Sequence, residues 1–213
     1  MEDPKRILDI GTGTGKWAIE IGNTFPDAEV TGTDLSPIQP NWYNLRDMTK
    51  ERIANHDRVP DNVEFIIDDA SEEDWLVPPN HYDYIHTRVM LGSFVDFRDI
   101  VRRAFKYTKP GGWFECQELW PPIMCDDGSM PKDHPLAEWT RLQDQGGMNL
   151  NRPLRIANKL KRWMEQVGFV DVHEEQIKIP INSWPKDPTM KLIGKWWEAC
   201  ILDGLQVCWS SWD

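Results

Sequence analysis

Short apolar runs alternate along the chain with glycine-rich or polar breaks, and their periods switch between two and about four. Ile7, Leu8 and Ile10 suffice for one buried strand, which Gly11, Gly13 and Gly15 terminate. Trp17, Ile21 and Phe25 then recur at four-residue steps, with Ala18 and Gly22 beside them, until Pro26 stops the helix. Residues 29–34 read as a second strand. Val63, Phe65 and Ile67 alternate as a third, with Ile66 on its other face. Residues 82–88 form a fourth, and Asp96 caps a helix carrying Phe97, Ile100, Val101, Ala104 and Phe105. Residues 109–112 make a turn into a fifth strand over 113–119. Helices are expected at 136–145, at 152–167 with Gly168 as its stop, and at 190–205, with a sixth strand over 169–181. The pattern predicts an α/β fold with a doubly wound, mostly parallel sheet in a single domain, 1–213. The polar stretch 43–58, with Leu45, Met48 and Ile53 as its few apolar points, predicts a short surface helix.

The glycine turn between strand and helix lets a ligand approach bare backbone and aims unpaired helix N–H groups at it. Three ligands compete for such a loop. A phosphate-binding P-loop would need its first glycine where Ile10 stands, and a hydroxyl residue where Trp17 stands. A dinucleotide fingerprint would need its third glycine at position 16, which is Lys16, so a nicotinamide-dependent reductase is disfavoured. What remains, Asp9-x-Gly11-x-Gly13-x-Gly15 with Thr12 inside it, resembles motif I of the class I S-adenosylmethionine (SAM) methyltransferases. Asp34 ends the second strand 23 residues after Gly11, near the spacing of a ribose-binding carboxylate. A carboxylate there accepts from both hydroxyls of an unphosphorylated ribose, and Leu35 follows on the adenine side.

The third strand ends in Asp68-Asp69-Ala70. An acid followed by a small residue at this point is where class I methyltransferases grip adenine, by carboxylate to the exocyclic amine and backbone N–H to a ring nitrogen. Asp69 fits that role best. Paired carboxylates could instead hold a metal or do acid–base work, but no third ligand lies nearby in sequence, and no metal is expected. The ends of strands four and five line the ligand crevice of such folds, which makes His86, Arg88, Glu115, Gln117 and Glu118 pocket candidates. His86 joins the cofactor set. It has the pKa class of a base, but no catalytic residue is assigned.

Composition narrows the partners. The 213-residue chain carries a formal net charge of −11, which disfavours nucleic acid. It has no run of 18 apolar residues that would span a membrane. Its N-terminus lacks the apolar core of a signal peptide, and Cys116, Cys125, Cys200 and Cys208 show no C-x-x-C spacing. Reduced thiols in the cytoplasm or nucleus, without secretion, are the expectation.

The chain resembles the LaeA-like methyltransferases of filamentous fungi. The likeness rests on residues 6–20, on Gly32 to Trp42 with its Gln-Pro-x-Trp element, on Asn62 to Phe65 with 68–70, and on Tyr82 to His86. Pro110 to Trp113 with Gln117 and Glu118, Ile179 to Ile181, and Trp184-Pro-Lys-Asp-Pro188 complete it. The resemblance implies a Rossmann-like methyltransferase fold and SAM as cofactor. It implies a tie to fungal secondary metabolism, either as an enzyme methylating a small-molecule acceptor or as a regulator associated with velvet-type proteins. Residues 1–119 would then form the SAM-binding half and 120–213 the substrate-side half. Against that family, residues 43–58 look inserted, little chain precedes the first strand, and the final antiparallel strand, the seventh of a full fold, is missing.

Overall fold

A computed structural model describes residues 3–39, 59–131 and 133–210, with side chains up to residue 204. The expected surface helix at 43–58, and Trp42, lie outside these residues. The chain divides into two compact units, Met1–Val172 and His173–Asp213. The expected boundary between halves at 119/120 falls inside the first.

The first unit is built on five parallel strands in the order β3-β2-β1-β4-β5. They are β1 (Arg6–Ile10), β2 (Glu29–Asp34), β3 (Val63–Ile67), β4 (Tyr82–Arg88) and β5 (Thr108–Gln117). A parallel central strand is covered on both faces and therefore reads as a continuous apolar run. β1 does so, with four of its five residues buried. On one face Ile7 meets Val30, Val63, Phe65 and Ala18, the last from α1 (Lys16–Thr24). On the other, Leu8, Ile10 and Ile85 pack with Ile100, Val101 and Ala104 of α2 (Phe97–Tyr107). Asp96 caps α2 as expected, its side chain accepting from the Arg98 N–H. The arginines on its outer face pair locally, Arg98 with Asp96 and Arg102 with Asp99.

The connection from β3 to β4 forms no helix, and Trp75 is its buried anchor. Beyond β5 come α3 (Pro135–Asn149) and α4 (Leu160–Val167), the latter ended by Gly168 at φ 115°. The second unit carries α5 (Pro188–Ser210).

Three expectations are corrected. Residues 109–112 are not a separate turn but the first part of β5. Gly111 takes φ 80°, and the register against β4 slips between Tyr82 and Tyr84 to absorb the extra residues. The helix expected from 152 becomes regular only at Ala157–Lys159 and α4. Asn151 sits at φ 54°, and Pro153 turns the residue before it away from helical backbone. The sixth strand over 169–181 is absent. Alternation at Ile177, Ile179 and Ile181 is not enough, because a strand exists only through a ladder of partners. Ile177 and Ile179 are exposed instead. The sheet of described residues therefore ends at β5 and holds no antiparallel strand.

Candidate cofactor site

The order in which strands are added to the sheet reverses between the parallel neighbours β1 and β4, so the loops leaving their carboxyl ends open a crevice, the usual ligand position in open α/β sheets. The glycine turn lies there. The Thr12 N–H donates to the Thr33 carbonyl (2.9 Å), and the Gly15 N–H to the Thr12 carbonyl (3.0 Å). Gly13 adopts φ 57°, and a Cβ built on it meets none of the described residues within 4 Å. Gly15 is different. At φ 76° its missing Cβ would sit 2.4 Å from the Phe65 ring, so the residue lets α1 close onto the sheet. Gly15 is also the N-cap of α1; no side chain caps the helix and no acid stands in its first turn. The positive end of the helix is thus left for an anionic group.

Asp34 does more than end β2. One carboxylate oxygen accepts from the Gly13 N–H (2.8 Å) and the other from the Ser36 N–H (2.9 Å). An ionised carboxylate offers about four acceptor positions, and hydrogen bonds among the described residues take two of them at Asp34. Leu35 beside it is 67% exposed, an apolar surface at the crevice. Across the β2–β3 seam, the Asp68 N–H donates to the Asp34 carbonyl (3.1 Å), which fixes the Asp68-Asp69-Ala70 corner against it. The Asp69 carboxylate accepts from the Ser71 N–H, and the bonds to Ser71 hold its pKa below the ordinary value. Ala70 is buried, with its carbonyl bound by the Trp75 indole N–H (3.1 Å).

Asp9 and His86 lie under the loop rather than in it. Both are closed to solvent. Asp9 Oδ2 accepts from the Thr12 hydroxyl (2.7 Å), and Oδ1 sits 2.8 Å from His86 Nδ1. The His86 ring stacks on Trp17 at 3.8 Å between centroids. From these positions Asp9 and His86 shape the loop through Thr12. Of the other pocket candidates, Arg88 and Gln117 are exposed. Glu115 is bonded by the Tyr84 hydroxyl and the Gln117 amide. Glu118 binds the Met90 N–H (2.8 Å), and burial raises its pKa to about 7.

Gln39 belongs to this site although no role was expected for it. It is 1% exposed, and its amide nitrogen donates to the Gly13 carbonyl (2.7 Å) and the Ser36 carbonyl (2.9 Å). Its signal in the sequence was the Gln-Pro-x-Trp element. Among the described residues, no cluster of three His, Cys, Asp or Glu is placed to hold a metal.

A model of the methyltransferase domain matches residues 1–174, which span β1 to the end of α4 and hold every site residue named above. The chain belongs to this methyltransferase family. Methyltransferase pytC of Aspergillus terreus is 36% identical to it over 97% of this chain and 59% of its own length. The secondary metabolism regulator LAE1 of Cochliobolus heterostrophus is 32% identical over 95% of this chain and 61% of its own. The chain thus spans about three-fifths of these relatives. Among solved structures, phosphoethanolamine N-methyltransferase 2 of Haemonchus contortus, in complex with SAM, superposes with a TM-score of 0.58 at 19% identity. That alignment covers all of this chain and 42% of the other. Human N-acetylserotonin methyltransferase in complex with SAM gives 0.51 at 17% identity, over 81% of this chain and 44% of that one. At such identities the likeness is one of fold, and it agrees with the doubly wound sheet of this methyltransferase domain.

Proposed function

We propose that this methyltransferase domain binds SAM in the crevice at the glycine turn and transfers its methyl group to O, N or C of a small-molecule acceptor in fungal secondary metabolism. The observation that carries the reading is the pairing of the Gly13 turn, open among the described residues, with an Asp34 carboxylate of whose acceptor positions the described residues take two. Asp34 would accept from the two ribose hydroxyls. The uncapped start of α1 suits the carboxylate of the amino-acid moiety. Leu35 offers an apolar face to adenine, and Asp69 a carboxylate to its exocyclic amine, with the Ala70 N–H beside it. SAM itself supplies an activated methyl on a sulfonium leaving group. The chain's part is then to align acceptor and cofactor and to exclude water.

A second reading has a specific support, the 32% identity to a secondary metabolism regulator. There the domain binds SAM, or only partners, and acts through protein partners with little or no catalysis, velvet-type regulators among them, in the cytoplasm or nucleus. No helix of the described residues is long and apolar enough to cross a membrane.

Calorimetric titration of the purified chain with SAM, beside Asp34→Ala, tests the binding step. A loss of at least tenfold in affinity, about 1.4 kcal/mol, is expected for the variant. A folded wild-type sample that takes up no SAM refutes the enzyme reading and leaves the chain a role in protein contacts. Incubation with labelled SAM and a fungal metabolite extract then separates the two readings, since only the enzyme labels a small molecule.

A further inference from the structure

β4 leaves the sheet through a strained turn. Val89, a β-branched residue, stands at φ 55° and Gly92 at φ 74°. Left-handed backbone at a β-branched residue costs energy and persists only where neighbours enforce it. Two contacts from the end of β5 do so. The Gln117 carbonyl accepts from the Val89 N–H (2.9 Å), and Glu118 Oε1 accepts from the Met90 N–H (2.8 Å). The turn then carries Met90 back over the glycine loop. A Cβ on Gly11 would lie 2.2 Å from the Met90 sulfur, so the thioether sits directly against the loop backbone. The backbone N–H groups of Leu91 and Leu119 also favour the ionised Glu118 carboxylate, and among the described residues no Lys, Arg or His pairs with this group.

We propose that Glu118 is a positioning residue for the cofactor loop: through the Met90 N–H it sets the turn after β4, and Met90 in turn sets Gly11. It rests on the SAM-binding reading only for its consequence on affinity; the mechanical link stands on the geometry alone.

The ionised carboxylate accepts the Met90 N–H more strongly than the neutral acid does. Burial places the change between the two forms near neutrality, at about 7. Other charged groups reach these segments at different points: Asp9 and His86 touch the glycine loop from beneath through Thr12, and the Arg152 guanidinium donates to the Ser93 carbonyl. The turn 89–93 has no ionisable side chain, nor has the glycine loop at Gly11 to Gly15. Arg88 at the end of β4 is exposed. On β5, Glu115 is held by Tyr84 and Gln117, and desolvation pushes the pKa of the half-buried Cys116 thiol up. The loop is therefore held best above pH 7 and loosens as pH falls through it.

Amide hydrogen exchange on the free protein tests the link, with intrinsic rates corrected for pH. The wild type should lose protection in segments 89–92 and 11–15 together between pH 8 and pH 6. Glu118→Gln keeps an acceptor for Met90 but cannot ionise, and should show no such step. Glu118→Ala should be poorly protected in both segments at either pH. Unchanged protection of 11–15 in Glu118→Ala, or a wild-type step that persists in Glu118→Gln, overturns the proposal. SAM affinity of the wild type should fall up to about tenfold from pH 8 to pH 6, as the ionised fraction does for a group near 7. Absence of SAM binding with the exchange pattern intact would refute the proposed function and leave the link standing.

Discussion

Gln39 offers the sharpest test of how the glycine turn is held. Its amide nitrogen gives two hydrogen bonds, to the carbonyls of Gly13 and Ser36, from a side chain that is 1% exposed. Each neutral bond contributes about 1 kcal/mol net, so Gln39→Ala should cost about 2 kcal/mol. Gln39→Glu changes almost no volume yet removes both donors and sets a carboxylate against two carbonyl oxygens. At neutral pH it should cost more than the truncation, about 3 kcal/mol. Urea unfolding at constant m-value reads these losses, and titration with SAM reads their effect on the loop. If binding must restore the turn, 2 kcal/mol corresponds to about thirtyfold in affinity. The introduced carboxyl should have a raised pKa, since only its neutral form can donate. Its penalty should therefore be smallest below about pH 4, the ordinary Glu range, and grow as pH rises through the raised value. A Gln39→Glu protein as stable as the wild type at pH 7, or more stable than Gln39→Ala, would refute the reasoning.

Three further outcomes are expected. Gly15→Ala combines left-handed backbone, costing about 1–2 kcal/mol, with a Cβ 2.4 Å from the Phe65 ring, so its thermal midpoint should drop by several degrees; an unchanged midpoint counts against the packing described. His86→Phe keeps a ring on Trp17 but leaves a buried Asp9 oxygen without its partner, and calorimetry should register about 2–3 kcal/mol lost. Asp83 is half-buried, which alone would raise its pKa. Lys109 and the backbone N–H groups of Arg6 and Lys5 outweigh this and lower it. Asp83→Asn should thus be less stable than wild type by about 1 kcal/mol or more above pH 4, the gap closing as pH falls through the depressed value; a gap independent of pH would contradict the assignment.

What the sequence made legible was local. The run Ile7 to Ile10, the glycines behind it and the helix from Lys16 lie within 20 residues, and each follows from short-range pattern alone. The strand-end position of Asp34 was found by a spacing. Its bond to Gly13 was not, because a spacing places a residue at a strand end without orienting its side chain. His86 joins Asp9 across 77 residues, Glu118 meets Met90 across 28 and Gln39 meets Gly13 across 26. Such pairings are set by strand register and loop path, which no window of sequence contains. The strand expected over 169–181 failed for the complementary reason: its alternation is real, but alternation does not supply a neighbouring ladder.

Gly13 is gripped at both ends by the chain's own side chains, its N–H by Asp34 and its C=O by Gln39. An incoming molecule meets a turn already in shape, so little ordering entropy remains to be lost on association. Loosening either grip therefore moves part of the cost of folding the turn into the encounter itself. Such variants should bind more slowly, and with a larger entropic penalty, even where the final contacts are unchanged.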